Sequence, residues 1–520
     1  MMHRITLRPT GVELRAPAGT PLRDPLFEQG VEFPCGGQGR CRGCRIQVLE
    51  GEAPVNAAQS EQLSAEELAG GWRLACQCSV EGDLVIELRQ WDAAILADET
   101  PFAFEPRTGW GVAVDVGTTT IVAQLLDLQS GCVLAVRTAL NSQGRYGADV
   151  MSRVEFALSP GGLEELQHLI RRQIGALVRQ LLLAARAPGQ EVRDIVLVGN
   201  TVMHHLFSGT DVEPLSHYPF VPSRAGLEVF SAKKLGWELP GNVSVRFLPC
   251  LGGFVGSDIL AGLLATRMGE SEDLIALIDL GTNGEIVLGN RERILCASTA
   301  AGPAFEGARI SMGMRASAGA ISQVAVEDGR LECHVLGNIE AKGICGSGLV
   351  DAAAAGLDLG IISLSGRFAD ARNEWALWPP VKLTQGDVRE LQLAKAAIAS
   401  GLHLLRERWG GSEPVRLYLA GAFGNYVNRS SANRIGLLHY PPERVQPAGN
   451  TALLGAKLAL FRLDGEDGSY QDLRRRVEHV SLSADPRFQD AFVQELSFAE
   501  SAHVYQESEV EAALRRQMAG

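Results

Sequence analysis

Residues 112–123 read VAVDVGTTTIVA, and residues 277–288 read LIDLGTNGEIVL. Each starts as a short apolar run, sets an acid near its end, turns through Gly-Thr and returns as a second apolar run. That pattern is strand, tight turn, strand. One copy would be weak, because hairpins use Asp and Gly for turns in any case. Two copies, with Asp115 and Asp279 at matching places, predict a duplicated unit and therefore two similar lobes facing each other.

The chemistry of such a pair is that of phosphate binding. Each Gly-Thr turn presents backbone N–H groups and hydroxyls to a phosphate. An Asp at the strand end can hold Mg2+, directly or through water, or orient a nucleophilic water. Two opposed turns clamp a polyphosphate from both sides. Neither turn is a GxxxxGK[ST] loop, and no strand-linked GxGxxG points to a dinucleotide site.

Outward from these turns the texture stays α/β. Leu163, Leu166, Leu169, Ile170, Ile174, Leu177 and Leu181 predict an amphipathic helix over 163–186. DIVLVGN reads as a buried strand and TVMHHLFSG as a helix after it. A helix is expected over 251–268, and KGICGSGLVDAAAAGLDLG opens another after a glycine turn. VRELQLAKAAIASGLHLLRERW is a strong helix. VRLYLAGAFGNYV is a strand running into glycines, NTALLGAKLALF is a helix, and VEHVSL is a late strand before an amphipathic helix and an acidic end.

The first ninety residues differ. HRITLRPTGVELRA predicts a hairpin, CRIQVLEG a strand, 60–69 a polar helix, and WRLACQCSVEGDLVIEL a closing strand. Two hairpins around one helix suggest a small β-grasp domain. Within it FPCGGQGRCRGC spaces Cys35, Cys41 and Cys44 as C-x5-C-x2-C, and Cys76 follows in RLACQC. Three thiols in one loop and a fourth on a distant strand can surround a small iron–sulfur cluster, and Gly36, Gly37, Gly39 and Gly43 let the loop aim N–H groups at sulfur. The first gap is one residue longer than in plant-type ferredoxins. Zinc is the rival, but structural zinc sites usually pair two C-x2-C units and only one is present. Cys76 is preferred to Cys78 as the fourth ligand, although both would point the same way on a strand.

The bulk numbers agree. A chain of 520 residues suggests about three domains. Its 46% hydrophobic content can build real cores, and its net charge of −13 argues against a general nucleic-acid surface. No apolar run is long enough to span a membrane, and the alternating N-terminus is unlike a signal peptide. A cytoplasmic protein is expected. Ten cysteines there suit a metal or redox site better than disulfides.

In order, VDVGTTT, LVGNTVMHHLFSG, IDLGTNGEI, LAGAFGN and GNTALLGAKLAL resemble the phosphate 1, connect 1, phosphate 2, adenosine and connect 2 segments of the actin/sugar-kinase/Hsp70 ATPases. With the cysteine unit in front, the whole chain resembles the reductive activators of corrinoid proteins. AAGPAFEGARISMGMRA (300–316) and NSQGRYGADVMSR (141–153) carry the same likeness.

The resemblance implies an α+β and α/β multidomain protein: an N-terminal β-grasp [2Fe-2S] ferredoxin followed by a two-lobed ribonuclease-H-like (actin-like) ATPase domain. The expected divisions are 1–91 for the ferredoxin, 92–109 for a linker, 110–270 for the first lobe, and 271–520 for the second lobe with a C-terminal strand and helix. The short linker implies that the linker domain of some relatives is absent.

The implied activity is ATP-dependent transfer of an electron through the [2Fe-2S] cluster to a corrinoid protein, Co(II) to Co(I), in a methyltransferase system. The implied cofactors are the cluster, ATP and Mg2+. The implied partners are the corrinoid protein and an upstream electron donor, with a homodimer allowed. Carried over, Asp115, Gly117, Thr118 and Thr119 hold phosphate and metal from one lobe, and Asp279, Gly281, Thr282 and Asn283 from the other. Gly421, Ala422 and Gly424 admit adenosine. Gly346 and Ser347 line the nucleotide floor or simply start a helix. Cys35, Cys41, Cys44 and Cys76 hold the cluster.

Two other readings compete. An ATP-dependent electron donor to an acyl-CoA dehydratase or reductase would use a cysteine inside the ATPase, such as Cys345. A redox sensor would bind ATP without reducing cobalt. His204 and His205 are expected to be structural, and Arg40, Arg42 and Arg45 to be solvated or a docking patch.

Overall fold

The computed structural model describes residues 2–8, 12–27, 44–88, 104–147, 149–186, 191–239, 242–281, 283–307, 309–316, 319–327, 329–370, 372–424, 426–462 and 468–499. Cys35, Cys41, Arg40, Arg42, Thr282, residues 92–103 of the expected linker and the acidic end lie outside the described residues.

The first unit is a five-stranded sheet. Strands β1 (Met2–Arg8), β2 (Glu13–Pro17), β3 (Arg45–Glu50), β4 (Trp72–Leu74) and β5 (Leu84–Leu88) lie in the order β2-β1-β5-β3-β4. β1 and β5 pair in parallel at its centre, and the flanking pairs are antiparallel. This is the expected β-grasp, with Ile5, Leu7, Leu22, Leu26, Ile46, Leu74 and Ile86 in its core. The helix expected over 60–69 is two helices, Ala57–Gln62 and Ala65–Ala69. Ser64 divides them: its hydroxyl accepts from the Glu67 N–H, and the Glu67 carboxylate accepts from the Ser64 N–H. This capping box starts a new helix where the composition suggested continuity.

The rest is built on two sheets of one plan. The first holds β6 (Trp110–Val116), β7 (Thr120–Asp127), β8 (Val133–Leu140), β9 (Val192–Val198), β10 (Glu228–Ser231) and β11 (Ser244–Phe247). The second holds β12 (Ile275–Leu280), β13 (Gly284–Gly289) and β14 (Ile294–Thr299). Between β14 and the return to that sheet come β15 (Ala320–Glu327), β16 (Arg330–Val335) and β17 (Gly343–Ile344), which form a small sheet, and the hairpin β18 (Glu374–Trp378) and β19 (Val381–Thr384). β20 (Arg416–Ala420), β21 (Val445–Gly449) and β22 (Val477–His479) complete the second sheet.

In the first sheet, β6-β7-β8 is an antiparallel meander, with β9 parallel to β6 and β11 parallel to β9. In the second, β12-β13-β14 is the same meander, with β20 parallel to β12 and β21 parallel to β20. The sequence repeat is therefore a repeat of topology.

Helices pack on both sheets. Helix Gly162–Ala184 buries Leu166, Leu169, Ile170, Ile174, Leu177 and Leu181, the stripe its spacing predicts. The helix expected over 251–268 is shorter, Ser257–Thr266, because residues 251–256 form a glycine-rich turn before it, and it crosses helix Thr451–Leu460 at very close range. A Cβ on Gly455 would stand 2.1 Å from the Ala261 carbonyl oxygen. Helix Thr451–Leu460 also lies over β6: a Cβ on Gly111 would meet Leu460 at 3.0 Å, and Arg107 donates to the Leu460 carbonyl at 2.9 Å. No described helix is long and apolar enough to cross a membrane.

Candidate functional site

The first Gly-Thr turn joins β6 to β7. Gly117 has no alternative there, since a Cβ would lie 2.4 Å from the Thr120 carbonyl. Three side chains hold the turn. Asn141 Nδ2 donates to the Gly117 carbonyl at 2.9 Å, Arg153 to the Thr118 carbonyl at 2.5 Å, and Asn200 Nδ2 to the Thr118 hydroxyl at 2.8 Å. Asn141 and Arg153 come from the 141–153 segment, so that stretch is the buttress of the turn. Asn200 also caps helix Thr201–Ser208 by accepting from the Met203 N–H. Burial lowers the Arg153 guanidinium to about 10, with Asp149 opposing the shift, so it stays charged at neutral pH.

The second turn joins β12 to β13, with the Gly281 N–H donating to the Asn283 carbonyl at 3.0 Å. Gly421 follows β20 at φ +84°, and a Cβ there would stand 2.7 Å from Asp279 Oδ1. Only glycine lets the backbone come this close to the acid. The strand runs into the glycines as expected: it ends at Ala420, and Gly421–Gly424, which contains Ala422, is a single helical turn. Phe423 in that turn stacks on Phe305 with centroids 4.6 Å apart. Gly346 lies behind this stack: its Cβ would be 1.9 Å from the Phe305 carbonyl.

Four carboxylates bear on one another in the cleft between the sheets. Asp115 and Asp279 were anticipated; Asp258 and Glu285 were not. Glu285 faces Asp279 directly across β12 and β13, which puts their side chains on one face. Asp258 sits in the first turn of helix Ser257–Thr266. Burial pushes Asp115 up to about 7; Asn450, whose Nδ2 donates to Asp115 Oδ2 at 2.9 Å, opposes the shift, and the Asp279 charge adds to it. Burial raises Asp279 to about 6. Burial, then the charges of Asp279 and Asp115, raises Asp258 to about 8. Burial, then Asp258 and Asp279, holds Glu285 well above the usual carboxylate range. Among the described residues no three of His, Cys, Asp and Glu form a ready metal cage. Carboxylates gathered in this way could hold a hard divalent cation such as Mg2+.

The two halves also meet at the first Gly-Thr turn. Thr119 Oγ1 donates to Glu306 Oε2 at 3.4 Å. Glu306 ends the short turn Pro303–Glu306, so the 300–316 loop borders the cleft. Ser347 is buried, and its hydroxyl donates to the Ser322 carbonyl at 2.8 Å. His204 and His205 are buried, each with a ring nitrogen on a backbone carbonyl, Gly226 at 3.2 Å and Thr201 at 2.8 Å.

In the ferredoxin unit, Cys44 and Cys76 lie on adjoining segments, and the Ala75 N–H donates to the Cys44 carbonyl at 3.0 Å. The sequence suggested that Cys76 and Cys78 share a direction. They do not, because Ala75–Gln77 is a 3-10 turn and not a strand. Cys78 points into the core, and its thiol meets the Leu74 carbonyl at 3.3 Å. Burial, reinforced by Cys44, pushes that thiol up to about 12, which disfavours a thiolate ligand. Cys76 is half-exposed and within 3.7 Å of Gln77 Nε2, an N–H aimed at sulfur. Cys44 and Cys76 thus fit a cluster in donor type and placement. Arg45 is engaged with Glu67 at 3.1 Å and lies over Trp72.

A β-grasp sheet carrying cysteines beside a duplicated sheet carrying paired phosphate turns defines a ferredoxin fused to an actin-like ATPase. Residues 5–81 match the 2Fe-2S iron-sulfur cluster binding domain, residues 110–271 the RACo middle region, and residues 273–509 the C-terminal domain of RACo, the ASKHA domain. The chain is 36% identical to the corrinoid activation enzyme RamQ of Eubacterium limosum, over 76% of this chain and 71% of that protein. It is 28% identical to the Co(II) methylated amine-specific corrinoid protein reductase of Methanosarcina barkeri, over 75% of this chain and 77% of that one. A solved structure of a reductive activator for corrinoid, iron-sulfur protein superposes with a TM-score of 0.70 at 27% identity, covering 97% of this chain and all of that one. The chain belongs to the family of reductive activators of corrinoid proteins. Its cluster-binding domain supports a [2Fe-2S] centre, and its ASKHA domain supports ATP binding.

Proposed function

We propose that this protein is an ATP-dependent reductive activator that delivers one electron to the cobalt of a corrinoid protein, Co(II) to Co(I), and so returns a methyltransferase system to activity. One observation carries the reading: a single chain joins a cysteine-bearing β-grasp sheet to two facing Gly-Thr turns over a shared floor of carboxylates. It works in the cytoplasm, where its thiols stay reduced, and takes its electrons from an upstream one-electron donor.

Cys35, Cys41, Cys44 and Cys76 hold the [2Fe-2S] cluster, which supplies one-electron transfer when bound. Gly117, Thr118 and Thr119 cradle the phosphates from one lobe, and Gly281, Thr282 and Asn283 from the other. Gly421, Ala422 and Gly424 let the backbone approach adenosine. Gly346 and Ser347 act one step back, behind the Phe305–Phe423 stack. Asp115 and Asp279 would hold Mg2+, directly or through water, the charge of the ion relieving their mutual repulsion, or would orient the attacking water. The protein uses ATP by stabilising the state that binds the corrinoid protein with its cobalt reducible, and the shift cannot exceed the differential affinity for the two states.

The acyl-CoA alternative loses its best residue, because Cys345 is buried with its sulfur 3.3 Å from the Ser347 hydroxyl. The decisive experiment reduces the protein anaerobically, adds a Co(II) corrinoid protein with and without MgATP, and follows the Co(I) absorption band. ATP-dependent Co(I) supports the assignment. ATP binding with no Co(I) from any corrinoid partner would sink it in favour of a sensor.

A further inference from the structure

The ferredoxin unit touches the second half of the chain at a small, specific seam. Helix Arg23–Phe27 supplies Arg23 and Asp24. Asp24 is buried, and its Oδ2 accepts from the Gly337 N–H at 3.1 Å with His334 Nε2 at 3.5 Å. Arg23 reaches Gln323 Oε1 at 3.4 Å. Gly337 is at φ +78° and Asn338 at φ +50°, so this corner is turned into the left-handed region with its N–H towards the carboxylate.

The seam is wired to the cleft. Arg23, Asp24, Gln323, Ser347 and Tyr426 line one small cavity. Ser347 bonds the carbonyl of Ser322, which a register shift between Ile321 and Gln323 takes out of the β15–β16 ladder. One residue earlier, Gly346 is wedged against the Phe305 carbonyl with no room for a side chain. The next residue after Phe305 is Glu306, which accepts from Thr119 on the first phosphate turn.

We propose that the Asp24 seam is a latch whose closure opposes nucleotide binding. This rests on the reading of the Gly-Thr turns as the phosphate site. A triphosphate seated on the first turn competes for the Thr119 hydroxyl and repels the Glu306 carboxylate. Displacing Glu306 moves the Phe305 carbonyl against Gly346, and the first turn of helix Gly346–Asp358 shifts with it. Ser347 passes the shift to Ser322, and the surface that holds Arg23 and Asp24 is altered. Nucleotide thereby frees the ferredoxin domain from the second lobe. Because coupling is reciprocal, a weakened latch must also tighten nucleotide binding.

The Gly337 amide is a built-in reporter. Hydrogen exchange of peptides spanning 335–340 is measured on the cluster-loaded full chain, with and without Mg2+ and the β,γ-imido analogue of ATP. Exchange should speed up by roughly tenfold or more with the analogue. Asp24→Ala and His334→Ala should exchange fast without it and bind it about fivefold more tightly or better. The visible circular dichroism of the cluster reports whether the ferredoxin remains folded; His334→Ala leaves its sequence untouched and decides the matter if Asp24→Ala does not. Calorimetric binding of the analogue with unchanged exchange at 335–340, or unchanged affinity in His334→Ala, overturns the latch alone. No binding of the analogue overturns the phosphate-site reading and the latch with it.

Discussion

Asn450 Nδ2 donates to Asp115 Oδ2 at 2.9 Å, while Asn450 Oδ1 accepts from the Leu453 N–H at 2.7 Å. One side chain thus caps the last motif helix and favours the ionised form of the first motif acid, against the burial that raises it to about 7. Asn450→Ser keeps a capping oxygen and removes the amide donor. Asp115 should then rise above about 7, and Mg-nucleotide affinity near neutral pH should fall by roughly tenfold, about the value of one hydrogen bond to a charged group. Fluorescent-nucleotide titrations at several pH values check it: the loss should shrink as pH rises and Asp115 ionises. Asp115→Ala should abolish the ATP effect and leave the cluster spectrum intact.

The 3-10 turn at Ala75–Gln77 separates two cysteines that sequence spacing alone had aligned. Cys76→Ser should abolish or strongly alter the cluster absorption. Cys78→Ser should retain it and cost about 1 kcal/mol of ferredoxin stability for the lost apolar packing. The reverse pattern would reassign the fourth ligand.

Gly455→Ala places a methyl against the Ala261 carbonyl, where the backbone of one helix meets that of another. We expect a loss of roughly 1–3 kcal/mol or more in chemical denaturation, with weaker nucleotide binding because the crossing joins the two lobes. Gly360→Ala is the control: its Cβ would meet nothing within 4 Å, and φ +66° leaves only backbone strain.

Asp351 lies 3% exposed in helix Gly346–Asp358 and accepts from the Val324 N–H at 3.2 Å. Burial raises it to about 7, with bonds from Ser431 and Val324 opposing. The folded chain therefore holds this proton more tightly than the unfolded chain does. Stability from it is complete below pH ~4 and is lost as pH rises to about 7, on the order of a few kcal/mol. Asp351→Asn should remove this part of the slope, so that the variant gains on the parent between pH 5 and pH 8. Urea melts at the two pH values measure the difference.

The duplicated turns were legible because the chemistry that forms them is local: a strand, an acid and Gly-Thr recur in register. The stripe of helix Gly162–Ala184 was legible for the same reason. Asp258 and Glu285 were not, since one opens a helix outside the motifs and the other lies in the return strand of the second motif, where the first motif has no acid to match it. Only the facing of Glu285 to Asp279 and the approach of helix Ser257–Thr266 reveal them. A cue to Glu285 was available: it follows the second turn by two residues, so strand alternation puts it on a defined face. The β15–β16 hairpin also passed unread, although Asp328-Gly329 between two alternating runs is a strong turn signal. Ser64 broke a helix that composition joined, because a single hydroxyl and Glu67 outweighed an Ala/Glu-rich run.

Helix Thr451–Leu460 covers β6, although nearly the whole second sheet lies between them in sequence. During synthesis β6 is among the earliest strands of the ATPase to leave the ribosome, and its lid among the last elements. At ~5–20 residues per second the first sheet waits roughly ten to forty seconds for that cover. For that interval the apolar face beneath Leu460 is open to water and to other nascent chains. The polypeptide is made from its beginning, yet the packing of its first lobe is completed only by a helix that follows nearly all of the second sheet.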